Sequence, residues 1–319
     1  MRAEKILGSH VYNPSNTSRG GIFIIGKRRL ALSGILFALP SIIGLILFVV
    51  IPMVSSLLLS FTDYRIVNSP KFIGLGNYTR LFDGTDPYFY KSLWVTFKYV
   101  ALRVPLGLIV SFIVALLLNQ DFIRGKSIFR TIYYLPVIVP AVASSMIWIW
   151  LFSPDLGLIN NVLTAIHLPT FNWLDSEAMV VPSIVMMSLW GVGSTVIIFL
   201  AGLQGVPRSL YEAATVDGAG FMRKFLNITI PMMTPIIFFN LIMGSIGAFQ
   251  VFTEALIMTQ GGPNNASLFY NYYIYREAFQ FGEMGHASAI AWILFIIILA
   301  VTGLFFRTSK AWVFYESEV

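Results

Sequence analysis

There is no cysteine among the 319 residues, which removes disulfides, thiolate nucleophiles, thiolate-held zinc, iron–sulfur clusters and thiol redox switching together. Histidine is nearly missing too, since His10, His167 and His286 are scattered without metal-ligand spacing, so no metal centre is expected. Charge is equally scarce. Asp, Glu, Lys and Arg make up 11% of the chain, against about 25% in an ordinary soluble domain, too little to clothe a water-facing surface. In their place stand hydrophobic residues at 57%, with mean hydropathy +0.77, gathered into long blocks. This is the composition of an integral membrane protein, whose length divides by spans rather than by soluble domains. The net charge of +6 forms no basic stripe with interleaved aromatics, so it argues for membrane topology and against nucleic acid. The first twenty residues are polar, and the apolar block that follows is too long for a signal-peptide core and lacks a small-residue cleavage site. It reads as a retained span.

Between Arg29 and Asp63 lie 33 uncharged positions, where roughly 20 suffice to cross a bilayer. The first span is expected near Leu32 to Leu59. Further uncharged runs cover Thr131 to Pro154, Ala178 to Pro207, Phe225 to Thr253 and Met284 to Phe306, and a run from Leu93 to Leu118 is interrupted by Lys98 and Arg103. Six helices result, an all-α polytopic bundle. Its expected divisions are a cytoplasmic segment 1–29, a membrane domain 30–308 and a tail 309–319. Alternate connections carry the cations: the segments with Arg2, Lys5, Arg19 and Lys27 to Arg29, with Arg124, Lys126 and Arg130, with Arg208, Arg223 and Lys224, and with Arg307 and Lys310 hold 14. The opposite connections hold five, Arg65, Lys71, Arg80, Lys91 and Arg276. By the excess of Lys and Arg on the cytoplasmic side, both termini are cytoplasmic.

Prolines at 40, 52, 105, 136, 140, 182 and 235 fall inside these spans, which membranes tolerate where neighbours or polar cavities satisfy the freed carbonyls. Lys98, beside Trp94, snorkels to the interface. Arg103 lies about 15 Å deep, where an unpaired charge costs at least about 3 kcal/mol, so it must face protein or water. Glu254 is expected at the outer end of the fifth span, at the interface. An ATPase centre is not present in the sequence: the run Gly21 to Gly26 before Lys27 continues with Arg28, where a phosphate loop needs Ser or Thr. Gly191-Val192-Gly193 follows no strand, and close helix packing explains it better than a dinucleotide site.

The connection Gln204 to Ile230 is too polar to span and too regular in its signals to be an unstructured loop. Pro207 suits a helix start, Ser209 to Ala214 a short helix, Asp217, Gly218 and Gly220 a tight reversal, and Phe221 to Ile230 a second helix running to Pro231. Ala213 and Ala214 leave a smooth face that another protein surface can approach, and Glu212 adds one charge.

Glu212-Ala213-Ala214, three residues, Gly218, nine residues, Ile228, one residue, Ile230, Pro231 resembles the EAA loop of ATP-binding-cassette importer permeases, where Leu is usual at the position of Ile230. Asp217-Gly218-Ala219, Phe225, Pro231 and Pro235, with Ala115 to Asn119, Phe129-Arg130-Thr131, Leu135-Pro136, Gly157 to Asn160, Phe249 to Phe252 and Met258 to Pro263, are similar to the carbohydrate-uptake branch of binding-protein-dependent permeases. The longer N-terminal portion favours the first of the two paired permeases. The resemblance implies the type I importer fold and a multi-pass place in the bacterial cytoplasmic membrane. It also implies a transport subunit that is not itself an enzyme. Its partners are a homologous second permease, two cytoplasmic ATPase subunits, an extracytoplasmic binding protein that delivers a sugar or oligosaccharide, and lipid. No cofactor is bound by this chain, with ATP and Mg2+ on the ATPase. Glu212, Ala213, Ala214, Asp217 and Gly218 are then the coupling residues. The same architecture serves glycerophosphodiesters and other polar solutes, and an ion-coupled carrier is the alternative outside the class.

Sugars pair amide or carboxylate hydrogen bonds with aromatic platforms. The fifth span offers Asn240, Ser245, Gly247, Phe249, Gln250 and Phe252 as a substrate path. The aromatic run Phe269 to Tyr275 reads as an interfacial belt.

Overall fold

A helix satisfies every backbone N–H and C=O within itself, which is what lipid demands, and the long apolar blocks all fold as helices. The computed structural model describes residues 27–120, 123 and 125–314, with side chains from residue 35. Arg2, Lys5, Arg19, Arg124, the Gly21–Gly26 run and the last five residues lie outside the described residues. Two units are distinguished, one ending at Val54 and one beginning at Ser55.

The first unit is built on α1 (Lys27–Leu45), a π-helical turn Ile46–Val50 and the start of α2 (Ile51–Ser60). Apolar side chains such as Phe37, Ile42, Leu47 and Phe48 are exposed on every face of its helix, as befits a helix in lipid or against another membrane chain. The π turn has a local cause. Pro52 lacks a donor and would crowd the carbonyl four residues back. That carbonyl lies in the widened turn, where Ile51 N–H already reaches back to Ile46. The same device recurs before Pro231, where the turn Phe225–Thr229 is π-helical and Ile230 N–H bonds Phe225.

In the second unit, a short α3 (Gly76–Phe82) precedes the 31-residue α4 (Phe89–Asn119), which packs against several other helices. Next come α5 (Lys126–Ile138) and α6 (Ala141–Leu151), which meet at 100°, then the short α7 (Leu158–Ala165). The span expected from Thr131 to Pro154 is therefore two helices. Pro140 holds Val139 extended (φ −70, ψ 126), which ends α5 abruptly. The span expected from Ala178 to Pro207 is likewise divided, into α8 (Val180–Trp190) and α9 (Gly193–Gly205), bent by 52°. At that joint a Cβ on Gly193 would strike the Tyr133 carbonyl, whereas one on Gly191 would meet only ordinary contact, so Gly193 alone is a close-packing notch.

The chain continues through α10 (Arg208–Val216), α11 (Phe221–Lys224), α12 (Ile230–Phe249), a π turn Ala255–Thr259, α13 (Tyr270–Tyr275), a π turn Arg276–Gln280 and α14 (Met284–Ser309). Residues Phe221–Phe249 form one helix, so the second helix of the polar connection and the fifth span are continuous. Among the described residues, four helices are long and apolar enough to cross a membrane, and up to six crossings result with each bent pair taken as one. No strand ladder occurs among the described residues; two isolated bridges, Thr62 to Phe72 and Arg65 to Asn68, close the turn after α2.

α4 is the axis of the second unit. Near its first half, Phe89, Tyr99, Ile184, Phe249, Phe269, Tyr270, Tyr273 and Ile290 form one apolar core. Near its last turns, Ala115, Leu118, Val196, Phe199, Leu203 and Met233 form a second. The run Phe269 to Tyr275 is thus not an interfacial belt: Phe269, Tyr270 and Tyr273 are fully buried, because α13 folds back over the start of α4, where Tyr270 N–H donates to Thr96 Oγ1 at 2.9 Å.

Candidate functional site

Beside the first core, against Tyr99, Ala248 and Val251, a cavity of about 750 Å³ opens. Tyr99 and Arg103 of α4 line it, with the α5–α6 break from Pro136 to Ser144, the end of α8 at Ser188 and Trp190, and the stretch Met243 to Glu254. Its polar groups are few and of the kinds that bind hydroxyl-rich solutes: one guanidinium, one carboxylate, the Gln250 amide and the hydroxyls of Tyr99, Ser144, Ser188 and Thr253. Trp190 and Phe252 add aromatic faces. α12 ends at Phe249, and Gln250 to Thr253 unwind before the turn at Ala255. Glu254 thus follows the end of α12 and lies on the wall of this cavity.

The six expected path residues divide. Gly247, Gln250 and Phe252 line the cavity. Asn240 and Ser245 are buried and donate to carbonyls of their own helix, Ile236 at 2.9 Å and Leu241 at 2.7 Å. Phe249 is core, edge-on to Phe97 at 5.3 Å. A helix face turns by 100° per residue, so the polar residues of α12 do not form one stripe.

The second candidate is the hairpin from Pro207 to Gly220. Its first helix closes in the Schellman pattern: Ala219 N–H donates to Ala214 O at 2.8 Å and Gly218 N–H to Thr215 O at 3.0 Å. Gly218 has φ +73 with open space around its Cβ position, so glycine is needed there for backbone conformation rather than for room. Lys224 Nζ donates to Thr215 Oγ1 at 2.9 Å and the Tyr211 hydroxyl meets Thr229 Oγ1 at 3.0 Å, which seats α10 on the base of α12. Facing away, Glu212, Ala213, Asp217 and Gly218 are exposed and Ala214 is half-buried. Leu210, Val216, Phe221 and Met222 are exposed around them.

A third cluster had no counterpart in the sequence reading. Asp86 sits just before α4, where its Oδ1 accepts the Tyr88 and Phe89 N–H groups at 2.9 and 3.1 Å. Its Oδ2 accepts from the Tyr273 hydroxyl and from His286 Nε2. Burial pushes this carboxyl up, but His286, Tyr273 and the Tyr88 amide outweigh it and hold it down at about 2. Glu277, buried nearby, is pushed up by desolvation. Asp86 and His286 are 5% and 3% exposed, so the cluster is a clamp between segments and offers no access to a substrate. Residue identity could not have revealed it, because its members lie up to 200 positions apart.

Residues 104–313 match the family of binding-protein-dependent transport system inner membrane components. The chain is similar to the probable ABC transporter permease protein YesP of Bacillus subtilis (strain 168), 43% identical over 291 residues, 90% of this chain and 93% of that protein. It is 32% identical over 271 residues to the arabinooligosaccharides transport system permease protein AraP of the same organism, covering 84% and 85% of the two. A chain of a bacterial alginate ABC transporter, solved in complex with an alginate pentasaccharide-bound periplasmic protein, superposes with TM-score 0.77 at 25% identity over 89% of this chain and 95% of that one. A helical membrane unit with a polar cavity and an exposed hairpin, matched over these lengths, belongs to the inner-membrane permease family of binding-protein-dependent ABC importers.

Proposed function

We propose that this permease passes a sugar or oligosaccharide through the cavity between α4, the α5–α6 break, α8 and the unwound end of α12, and that the Pro207–Gly220 hairpin takes the stroke of a separate ATPase. The single observation that carries the reading is the hairpin. The C-terminus of its first helix is closed by the Schellman bonds, yet its outer face is a mixture of exposed Glu212 and Ala213, half-buried Ala214 and four exposed apolar side chains. An exposed apolar patch on a rigid, capped helix is a docking surface, and small residues at its centre permit close approach.

On this reading Glu212, Ala213, Ala214, Asp217 and Gly218 transmit the closure of an ATPase dimer into α12, with which the hairpin's second helix is continuous. ATP and Mg2+ act on those partner subunits. A homologous second permease completes the path, and an extracytoplasmic binding protein delivers cargo to the opposite end. The Lys and Arg distribution puts the hairpin and both termini in the cytoplasm. A saccharide cargo is supported by relatives named for arabinooligosaccharides and alginate, and by the few polar and aromatic groups on the cavity wall. Within the cavity, Gly247, Gln250 and Phe252 are the path residues; Asn240, Ser245 and Phe249 keep the helix that carries them in place.

Because the chain lacks cysteine, a single Ala213→Cys tests the docking directly. Cross-linking to a cysteine in the ATPase cleft, with a yield that changes when ATP is added, is expected. A label at Ala213 that stays fully reactive in the assembled, ATP-cycling transporter overturns the coupling role.

A further inference from the structure

Arg103 stands close to the midpoint of α4, with fourteen residues of the helix before it and sixteen after it, about 21 and 24 Å of helix. The middle of a spanning helix is a costly place for an unpaired cation. Its guanidinium lies back over Gly107, where a Cβ would collide with Nη1. The glycine one turn on thus gives the side chain its berth. Among the described residues no carboxylate lies within ion-pairing distance of it, yet it lines the large cavity. Glu254 is the other charged group on that wall, and every remaining lining residue is neutral.

We propose that Arg103 is a specificity residue that receives the carboxylate of an acidic saccharide, and that the cargo carries one negative charge on a sugar ring. The proposal rests on the saccharide reading above and narrows it. A guanidinium offers a planar fork that matches a carboxylate with two parallel N–H donors. The Tyr99 hydroxyl is its hydrogen-bonding neighbour on the wall, a neutral partner that leaves the charge for the cargo's carboxylate to balance. Glu254 sets the limit. With one guanidinium and one carboxylate the wall is neutral overall, which suits a singly charged uronate and opposes a doubly charged phosphate monoester. Glu254 and Gln250 then accept from ring hydroxyls, and Trp190 or Phe252 lies against the ring.

The test uses the assembled transporter in cells, with the second permease, ATPase and binding protein present. A mixed panel is supplied of disaccharides bearing one glucuronosyl residue, their methyl esters and the parent neutral disaccharides, and depletion from the medium is followed by mass spectrometry. Uptake of a uronate at least tenfold faster than of its own methyl ester is expected. Arg103→Gln is expected to cut uronate uptake tenfold or more, and Arg103→Lys, which keeps the charge without the fork, to fall between. Preference for the neutral sugars, or uronate uptake at the native rate by a fully assembled Arg103→Gln transporter, overturns the proposal and leaves the saccharide reading standing. If Arg103→Gln does not assemble, the native ratio of acid to ester still decides. Depletion of no saccharide at all overturns the saccharide reading itself, and this inference with it.

Discussion

His286 Nε2 lies 3.0 Å from Asp86 Oδ2, which joins the start of α14 to the residue that caps α4 across 200 positions of chain. The Tyr273 hydroxyl shares the same carboxylate oxygen, so one side chain holds three segments together. The carboxyl is held at about 2 in the folded chain against an ordinary 3.8. A depressed carboxyl contributes stability that is fully present above its unfolded value and is lost as the pH falls toward 2. Thermal unfolding in detergent is therefore expected to fall in temperature from pH 5 downward, with a shallower slope in Asp86→Asn. At pH 7, Asp86→Ala is expected to cost roughly 3 kcal/mol, a lost cap plus buried partners left without an acceptor.

Glu277 titrates in the opposite sense. Burial raises it above its ordinary 4.5, so ionising it opposes the fold, and stability is lost as the pH climbs from there through the folded value. Glu277→Gln is expected to raise the unfolding temperature at pH 7 and to leave it nearly unchanged at pH 4, by the same detergent measurement. An equal change at both pH values would assign the residue a packing role only.

Gly218 needs its left-handed backbone and nothing else, since no atom lies within 4 Å of a Cβ placed there. Gly218→Ala is expected to cost about 1 kcal/mol at the hairpin and to lower transport per ATP hydrolysed, with Gly218→Asn intermediate because Asn tolerates that conformation. Simultaneous uptake and phosphate-release assays give the ratio. An unchanged ratio in Gly218→Pro would remove the hairpin from the coupling path.

At Gly193 the constraint is steric, because the Tyr133 carbonyl occupies the Cβ position. Gly193→Ala is expected to destabilise by about 1–3 kcal/mol. Gly303→Ala on α14, with open space around its Cβ, is expected to be neutral or to stabilise by up to about 1 kcal/mol. Chemical denaturation in detergent distinguishes the two.

The spans were legible because lipid leaves a chain little freedom: about twenty apolar residues without charge become a helix. The hairpin was legible because Pro207 fixes its own φ at a value that suits a helix start, while Gly218 reaches the left-handed backbone that ends the helix. The 100° break at Val139–Pro140 was signalled by its prolines, but a proline in a membrane helix is compatible with a mild kink, and only the packing around it decides. That Glu254 shares the cavity wall with Gln250 was not legible, for a related reason. Apolar composition continues past Phe249, whereas the helix stops there. In the same way Tyr270 and Tyr273 look like belt residues in sequence and are core in the fold. Aromatic side chains suit both surroundings, and nothing local separates them.

The division within α12 is open to kinetics. Gln250→Ala and Phe252→Ala, on the cavity wall, are expected to raise the KM for uptake severalfold. Ser245→Ala, whose hydroxyl serves only its own helix at 2.7 Å, is expected to change it little. A KM effect at Ser245 as large as that at Gln250 would return the path to the opposite face.

The most direct measurement is ATP hydrolysis in liposomes that contain this chain, its second permease and the ATPase, with and without a saccharide-loaded binding protein. Coupling through the exposed hairpin requires stimulation by the loaded binding protein in the native assembly, and loss of that stimulation in Glu212→Lys while the ATPase still hydrolyses at its basal rate. Equal stimulation of the native and Glu212→Lys assemblies, or none in the native one, would contradict it.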